Sequence, residues 1–461
     1  MNFSLLLAFS SYIILLLVIG GLASFSSRSN QDFHLGGRRI NYWVTAISAH
    51  ASDMSSWLFI AFPFSVYAFG WVQCWTPIGL VLGMAANWHF IAPRLRARSE
   101  ELESETIPDF LSKSAQDKSG LIRFISCVFC IFFFLFYIAS GLKGIGFLMN
   151  HLFGFPLIAG VLLSAFVIMI YITLGGFFAI SVVGAFQGLF LLAMLLLVPF
   201  AMKSATSSSW GEIFSSASHY FSEDPRTTSF FTLDGIAVAL SWGLGYFGLP
   251  HVLVKFMGID SVKSVRKSKY VGLVWQILAL GTSLSVGVIA KAYFGGELLA
   301  EDALFIRIVT EVFSPLLAGF VFCAMLAATI STVDSQIMVS ATSLAKDVLQ
   351  LEGKKSVYAT RLSILVITLL AAGIASFGSS SIDALVRYAW VGQGCSFGPL
   401  VIASLYFKPV EAKHAAIGML LGGILSMLWP LSSLPFATYP MIPAFSFSII
   451  YLFIASRKKH S

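Results

Sequence analysis

Apolar stretches of about 20 residues recur from one end of this chain to the other, separated by short polar loops. Each is long enough to cross a hydrocarbon core of roughly 30 Å as a helix. Such a chain has few ways to fold, because in lipid every backbone amide and carbonyl needs an internal partner. Of 461 residues, 57% are hydrophobic and 11% charged, and the mean hydropathy is +0.85. These values exclude a soluble globular protein and predict an all-α polytopic membrane protein, with 1–461 forming a single transmembrane domain.

The spacing predicts about thirteen transmembrane helices, over 4–24, 41–69, 75–93, 123–148, 156–175, 183–202, 233–257, 270–294, 308–345, 360–377, 382–407, 413–430 and 438–456. The first has no basic segment before it and no small-residue cleavage site, and Arg28, Arg38 and Arg39 follow it, so it reads as a retained helix with its N-terminus outside. Thirteen spans, N-terminus outside and C-terminus cytoplasmic, put 22 of the 29 basic residues in cytoplasmic loops or tails, from Arg28 to Lys459. Lys and Arg accumulate on that side. The net charge of +7 therefore follows from topology, and no nucleic-acid partner is implied. Cys127 and Cys130 have CxxC spacing but lie on an apolar helix beside Phe129 and Phe132, where they read as small packing residues rather than a metal or redox pair.

Two spans carry interruptions. In SAHASDMSSW (48–57), Asp53 sits mid-span, where a carboxylate costs about 2.5–3.5 kcal/mol to insert. Ser48, Ser52, Ser55 and Ser56 compete with helical hydrogen bonds around it, and Val44–Phe69 would be about 39 Å long as helix, enough for two half-helices. In SWGLGYFGLPH (241–251), Gly243, Gly245 and Gly248 precede Pro250, which cannot donate a helical hydrogen bond. The breaks fall in spans 2 and 7. An odd offset of five reverses orientation, so by span counting 2–6 and 7–11 form an inverted repeat (about 41–202 and 233–407) with a site between two discontinuous helices. Helices 4–24, 413–430 and 438–456 are then peripheral. On span 9, Ala328, Ser331 and Thr332 stand at i, i+3 and i+4 and present three neutral oxygens on one face, a set suited to a weakly held monovalent cation. Asp334 lies just beyond, as a mouth residue or a helix-ending one.

At these residues the chain resembles the sodium/solute symporter family, and within it the bacterial sodium/proline symporters. The matching stretches run in order over nearly the whole length: DFHLGGR (32–38), SAHASDMSSW (48–57), NWHFIAPRLR (87–96), TIPDFL (106–111), YIASG (137–141), GGFFAIS (175–181), SWGLGYFGLPH (241–251), AATIST (327–332) and YAWVGQG (388–394). The resemblance implies a leucine-transporter-type core of two inverted five-helix repeats in a bacterial inner (plasma) membrane. It implies sodium binding by the carbonyls of Ala51, Met54 and Ala328 and the hydroxyls of Ser331 and Thr332. Asp53, Ser55 and Trp57 match residues important for transport, Tyr137, Trp242, Tyr246 and Pro250 the proline region, and Arg38 an arginine that influences coupling or simply sets topology.

Three positions depart from the proline symporters: Gly184 stands for an acidic residue, His50 for a glycine and Leu249 for a glutamine. Two readings of His50 stand. One turn from Asp53, it either takes part in ion coupling or fills space as a hydrogen-bonded histidine. The expected function is sodium-coupled symport of a small solute by alternating access, with proline first and pantothenate, another amino acid, a sugar or a carboxylate as alternatives. Sodium is the coupling ion, no other cofactor is expected, and the partners are solute, sodium and lipid, with no obligate protein partner. A channel, a sensor and a membrane enzyme are rivals; repeated filter loops, HExxH and a Walker-type phosphate loop are all absent from the sequence.

Overall fold

A computed structural model describes residues 3–24, 30–206, 208–227, 231–435 and 439–458. Arg28 and Lys459 lie outside the described residues. Among those described, the chain is helical and forms no β-strand, only one isolated bridge. The first half contains α1 (Phe3–Ser24), α2 (Asn30–Leu35), α3 (Tyr42–Met54), α4 (Ala61–Phe69), α5 (Trp75–Ala86), α6 (Ala92–Glu101), α7 (Ile107–Ser114), α8 (Leu121–Phe153) and α9 (Leu157–Thr206). The second contains α10 (Trp210–Glu223), α11 (Leu233–Ser241), α12 (Pro250–Gly258), α13 (Val262–Phe294), α14 (Glu301–Val312), α15 (Pro315–Ser343), α16 (Gly353–Phe377), α17 (Ile382–Tyr406), α18 (Ala412–Leu428) and α19 (Met441–Lys458).

Among the described residues, eight helices are long and apolar enough to cross a membrane, or nine if the pair Leu233–Gly248 and Pro250–Gly258, bent by 49°, counts as one span. This is a multi-pass membrane protein. The expected segments are helical, but several do not meet that test alone: Leu157–Ile170 and Met441–Arg457 are shorter apolar helices, and the segment holding Asp53 is broken.

The spans expected at 156–175 and 183–202 are two helices, labelled together as α9, that meet at a kink at Gly176 (φ 61°, ψ −168°). A Cβ there would lie 2.6 Å from the Phe33 ring and 2.9 Å from its carbonyl, so the kink admits the α2 backbone and needs glycine. The span expected over 308–345 begins instead at Pro315, and α14 is a separate helix. Proline at the first helical position, after two extended residues, starts a new helix rather than continuing one.

At the centre lies α15, buried at every residue from Val321 to Ser343. It packs on α1, α3, α8, α9 and α16. Beside it the chain leading into α3 and the chain leaving α12 are joined by the parallel bridge Ile40–Ile259: Ile40 N donates to Gly258 O (3.3 Å) and Asp260 N to Ile40 O (3.0 Å).

Candidate functional site

Helix α3 ends at Met54. Ser55 takes φ 45°, ψ −166°, a 3-10 turn follows over Ser56–Leu58, and α4 starts at Ala61. A left-handed serine interrupts a helix sharply, and the freed backbone groups find partners nearby. The Ser55 amide donates to Thr332 Oγ1 at 3.0 Å, Ser283 Oγ donates to Leu58 O at 2.6 Å, and Tyr137 Oη donates to Asp53 O at 3.2 Å.

The second interruption is a 3-10 segment over Trp242–Gly248, then extended Leu249, with Pro250 opening α12. Its glycines serve close packing. A Cβ on Gly243 would fall 2.2 Å from Gly79 O on α5, and one on Gly245 would fall 2.1 Å from Trp390 Nε1 on α17.

The two breaks meet through Asp53 and Tyr246. Tyr246 Oη donates to Asp53 Oδ2 and accepts from Gln276 Nε2 on α13 at 2.9 Å, while Asn87 Nδ2 donates to Tyr246 O at 3.0 Å. The other Asp53 oxygen, Oδ1, is buried without a protein hydrogen bond. Above the pair stands an aromatic cage. Trp57 packs on Trp242 (ring centroids 5.5 Å), Trp242 stacks on Tyr439 (5.3 Å), and Trp390 meets Tyr246 edge-on (5.1 Å) and donates from Nε1 to Trp242 O (3.0 Å). The cavity enclosed by Trp57, Trp242, Tyr246 and Trp390, with Asp53, Met54, Leu80, Tyr137 and Val386, measures about 10 Å³, room for about one water molecule.

Next to it the oxygens of α3 and α15 converge. Ser331 Oγ lies 2.8 Å from Ala51 O and 2.9 Å from Ala328 O, and Thr332 Oγ1 lies 3.0 Å from Ala328 O. Met54, the last residue of α3, is buried at the same break. These are neutral oxygens from two helices within hydrogen-bond reach of one another, the chemistry a hard cation accepts in place of water.

The other expected residues fall elsewhere. Pro250 caps α12 outside the cavity lining. His50 points from α3 toward α13: its Nε2 accepts from Trp88 Nε1 at 3.1 Å, and its ring packs against Trp275. The Asp53 carboxylate is held by Tyr246, not by His50. Arg38 donates to Ser99 Oγ and O, Ser104 O and Met257 O at 2.7–3.1 Å, binding the segment before α3 to α6 and α12. Sequence reasoning missed Trp390, Tyr439, Gln276 and Asn87. Gln276 and Asn87, amides inside the expected spans 270–294 and 75–93, were the two of these that intramembrane polarity alone marked.

The Sodium:solute symporter family matches residues 33–422. The high-affinity proline transporter PutP of Bacillus subtilis (strain 168) is 35% identical over 454 residues, covering 96% of this chain and 95% of that one. The sodium/proline symporter of Staphylococcus aureus (strain JH9) is 34% identical over 480 residues, covering 99% and 93%. Among solved structures, a Na+-coupled sialic acid symporter in a substrate-bound outward-open state is similar with a TM-score of 0.85 at 16% identity, over 99% of this chain and 98% of that one. Mhp1, a nucleobase-cation-symport-1 family transporter in a closed conformation, is similar with a TM-score of 0.59 at 14% identity, over 94% and 96%. At such identities the likeness is one of fold.

Proposed function

This chain belongs to the sodium:solute symporter family, and on that premise we propose that it takes up proline, coupled to sodium. It is a transporter and not an enzyme: sodium-coupled solute symport is the family's work, and the finer reading concerns the solute, the site and the topology. The observation that carries it is the meeting of two interrupted helices at Asp53 and Tyr246, one side walled by aromatic rings and the other by the oxygens of Ala51, Ala328, Ser331 and Thr332. Rings of Trp57, Trp242, Tyr246 and Trp390 suit a small apolar ring, and half-helix ends suit its carboxylate and amine.

In this reading sodium binds at Ala51 O, Met54 O, Ala328 O, Ser331 Oγ and Thr332 Oγ1. The two oxygens nearest Ser331 then turn from its proton to the cation, which fixes the end of α3 and with it Asp53 and Trp57. Solute completes the contact between Trp57, Tyr137, Trp242 and Tyr246, and joint occupancy permits closure and release on the other side. Spans 2–6 and 7–11 of a thirteen-span chain act as inverted repeats about this site, with the N-terminus outside and the basic loops cytoplasmic in a bacterial inner membrane. One sodium moving down about 100 mV and a tenfold gradient releases about 3.7 kcal/mol, enough for a several-hundred-fold solute gradient.

The test is uptake of labelled proline, pantothenate, other amino acids, sugars and short carboxylates into proteoliposomes with and without a sodium gradient. Sodium-driven proline uptake that disappears in Ser331→Ala/Thr332→Ala is the expected result. Sodium-driven uptake of a different solute alone would overturn the proline reading.

A further inference from the structure

Where α15 ends, on the side assigned to the cytoplasm, a polar cavity of about 430 Å³ opens, a volume within the roughly 300–1,000 Å³ of small-molecule sites. Asp347 lines it from the helical turn Leu344–Val348 that continues α15, Lys113 from α7 and Arg123 from the first turn of α8. Asp347 is 3% exposed, and its Oδ1 accepts from Thr106 Oγ1 at 2.8 Å. Its Oδ2 is buried with no protein partner, and so is the Nε donor of Arg123. Buried polar groups are nearly always bonded, so an acceptor and a donor left open around one cavity call for an occupant that supplies both partners.

The charges around the cavity form two poles. Asp109 is paired twice, by Lys113 Nζ at 2.8 Å and by Arg123 Nη2, which leaves one positive charge in excess there. At Asp347 neither oxygen meets a cation among the described residues. Thr106 joins the poles: the Oγ1 that donates to Asp347 accepts from Asp109 N at 3.1 Å. Lys346 and Glu105 pair with each other and favour neither pole, and Glu103 and Glu352 on the rim are exposed, where water and salt screen them. Among the described residues no three carboxylates, thiols or imidazoles gather as metal ligands, so the negative pole suits an organic ammonium.

We propose that this cavity is a regulatory site for an α-amino acid zwitterion, separate from the transport site, with the ammonium on Asp347 and the carboxylate on Arg123 and Lys113. Bonded at both ends, the occupant ties α15, which carries Ser331 and Thr332, to α8, and uptake slows as the amino acid accumulates inside. Only the side of the membrane rests on the proposed topology.

The melting temperature of the purified full-length protein in sodium-free buffer tests this, since a ligand held only by the folded state raises it and sodium-coupled solute binding is suppressed. The probes are the common L-α-amino acids, one at a time at millimolar concentration, with ethylamine and propionate as the separate halves of alanine. At least one amino acid is expected to raise the melting temperature of wild type and of Tyr246→Phe, and neither half to do so. Its affinity is expected to fall about tenfold or more in Asp347→Asn and in Arg123→Gln. No shift with any amino acid, an equal shift with ethylamine alone, or a shift unchanged in Asp347→Asn overturns the proposal. If Asp347→Asn does not fold, Arg123→Gln decides in the same way. A shift that needs sodium and is lost in Tyr246→Phe belongs to the transport site and overturns the proposal while leaving the symport reading intact. In proteoliposomes loaded with the active amino acid, sodium-driven uptake is expected to slow for wild type and not for Asp347→Asn. Equal slowing in both overturns the regulatory role.

Discussion

The backbone amide of Ser55 donates to the hydroxyl of Thr332, 277 residues away, at 3.0 Å. Ser55 is the residue at which α3 breaks, held at φ 45°, and a non-glycine residue in that region costs about 1–3 kcal/mol unless its surroundings enforce it. Thr332 is part of that enforcement, and its own hydroxyl reaches Ala328 O on the same helix. The shape of the break and the position of the proposed ion ligands are therefore mechanically linked.

Replacing Thr332 tests that link. Thr332→Val removes the acceptor for the Ser55 amide and one proposed sodium oxygen at nearly constant volume, whereas Thr332→Ser keeps both. An unpaired buried amide costs about 1–3 kcal/mol. The melting temperature is expected to fall in the valine variant and the sodium concentration for half-maximal uptake to rise about tenfold or more. A valine variant with wild-type sodium dependence would remove Thr332 from the site.

Tyr246→Phe is expected to weaken solute binding by roughly ten- to a hundredfold, because it strips a partner from a buried carboxylate and from Gln276 Nε2 together. Solute binding to the detergent-solubilised protein measures this directly. Unchanged affinity would make the Asp53–Tyr246 contact a packing feature.

For His50 the expected loss is of stability. His50→Ala deprives Trp88 Nε1 of its acceptor, and Gly272→Ala presses a Cβ to 2.4 Å from His50 Nε2. Both are expected to lower the melting temperature, by about 1–3 kcal/mol in stability for His50→Ala. The pH dependence of sodium-driven uptake should match wild type in each. A shifted pH profile in His50→Ala would restore the ion-coupling reading.

Glu301, at the start of α14 and outside the spanning helices, has a carboxyl pushed up from its ordinary 4.5 to about 7, first by burial and then by the Asp383 carboxylate. Because the folded protein holds this proton more tightly than the unfolded chain, stability is expected to fall as pH rises from about 4.5 to about 7. Melting temperatures across that window should show a smaller decline in Glu301→Gln than in wild type. Parallel curves for the two proteins would contradict the assignment.

The breaks were legible because their causes are local. Serines around Asp53, and glycines before Pro250, compete with or remove helical hydrogen bonds wherever they occur. The Ala328–Ser331–Thr332 face followed from helical spacing alone. What stayed hidden was set by the fold. No local pattern joins Tyr246 to Asp53, or brings Trp390 and Tyr439 to the cage. The i, i+3 spacing of His50 and Asp53 permitted a pair, yet their neighbours on α13 and on the second broken segment drew them apart. Gly176 and Pro315 were visible as residues, but their effect depended on the approach of Phe33 and on where α14 ended.

The bridge between Ile40 and Ile259 has a kinetic consequence. Two backbone bonds join these strands of chain, Arg96 Nε caps Ile259 O at 2.6 Å, and one guanidinium, that of Arg38, grips four oxygens around them. No single contact here can loosen alone, since each holds the backbone in the register the others require. Separation of α3 from α12 at this end is then an all-or-none event with a threshold. Whatever parts the two segments has to break these bonds together.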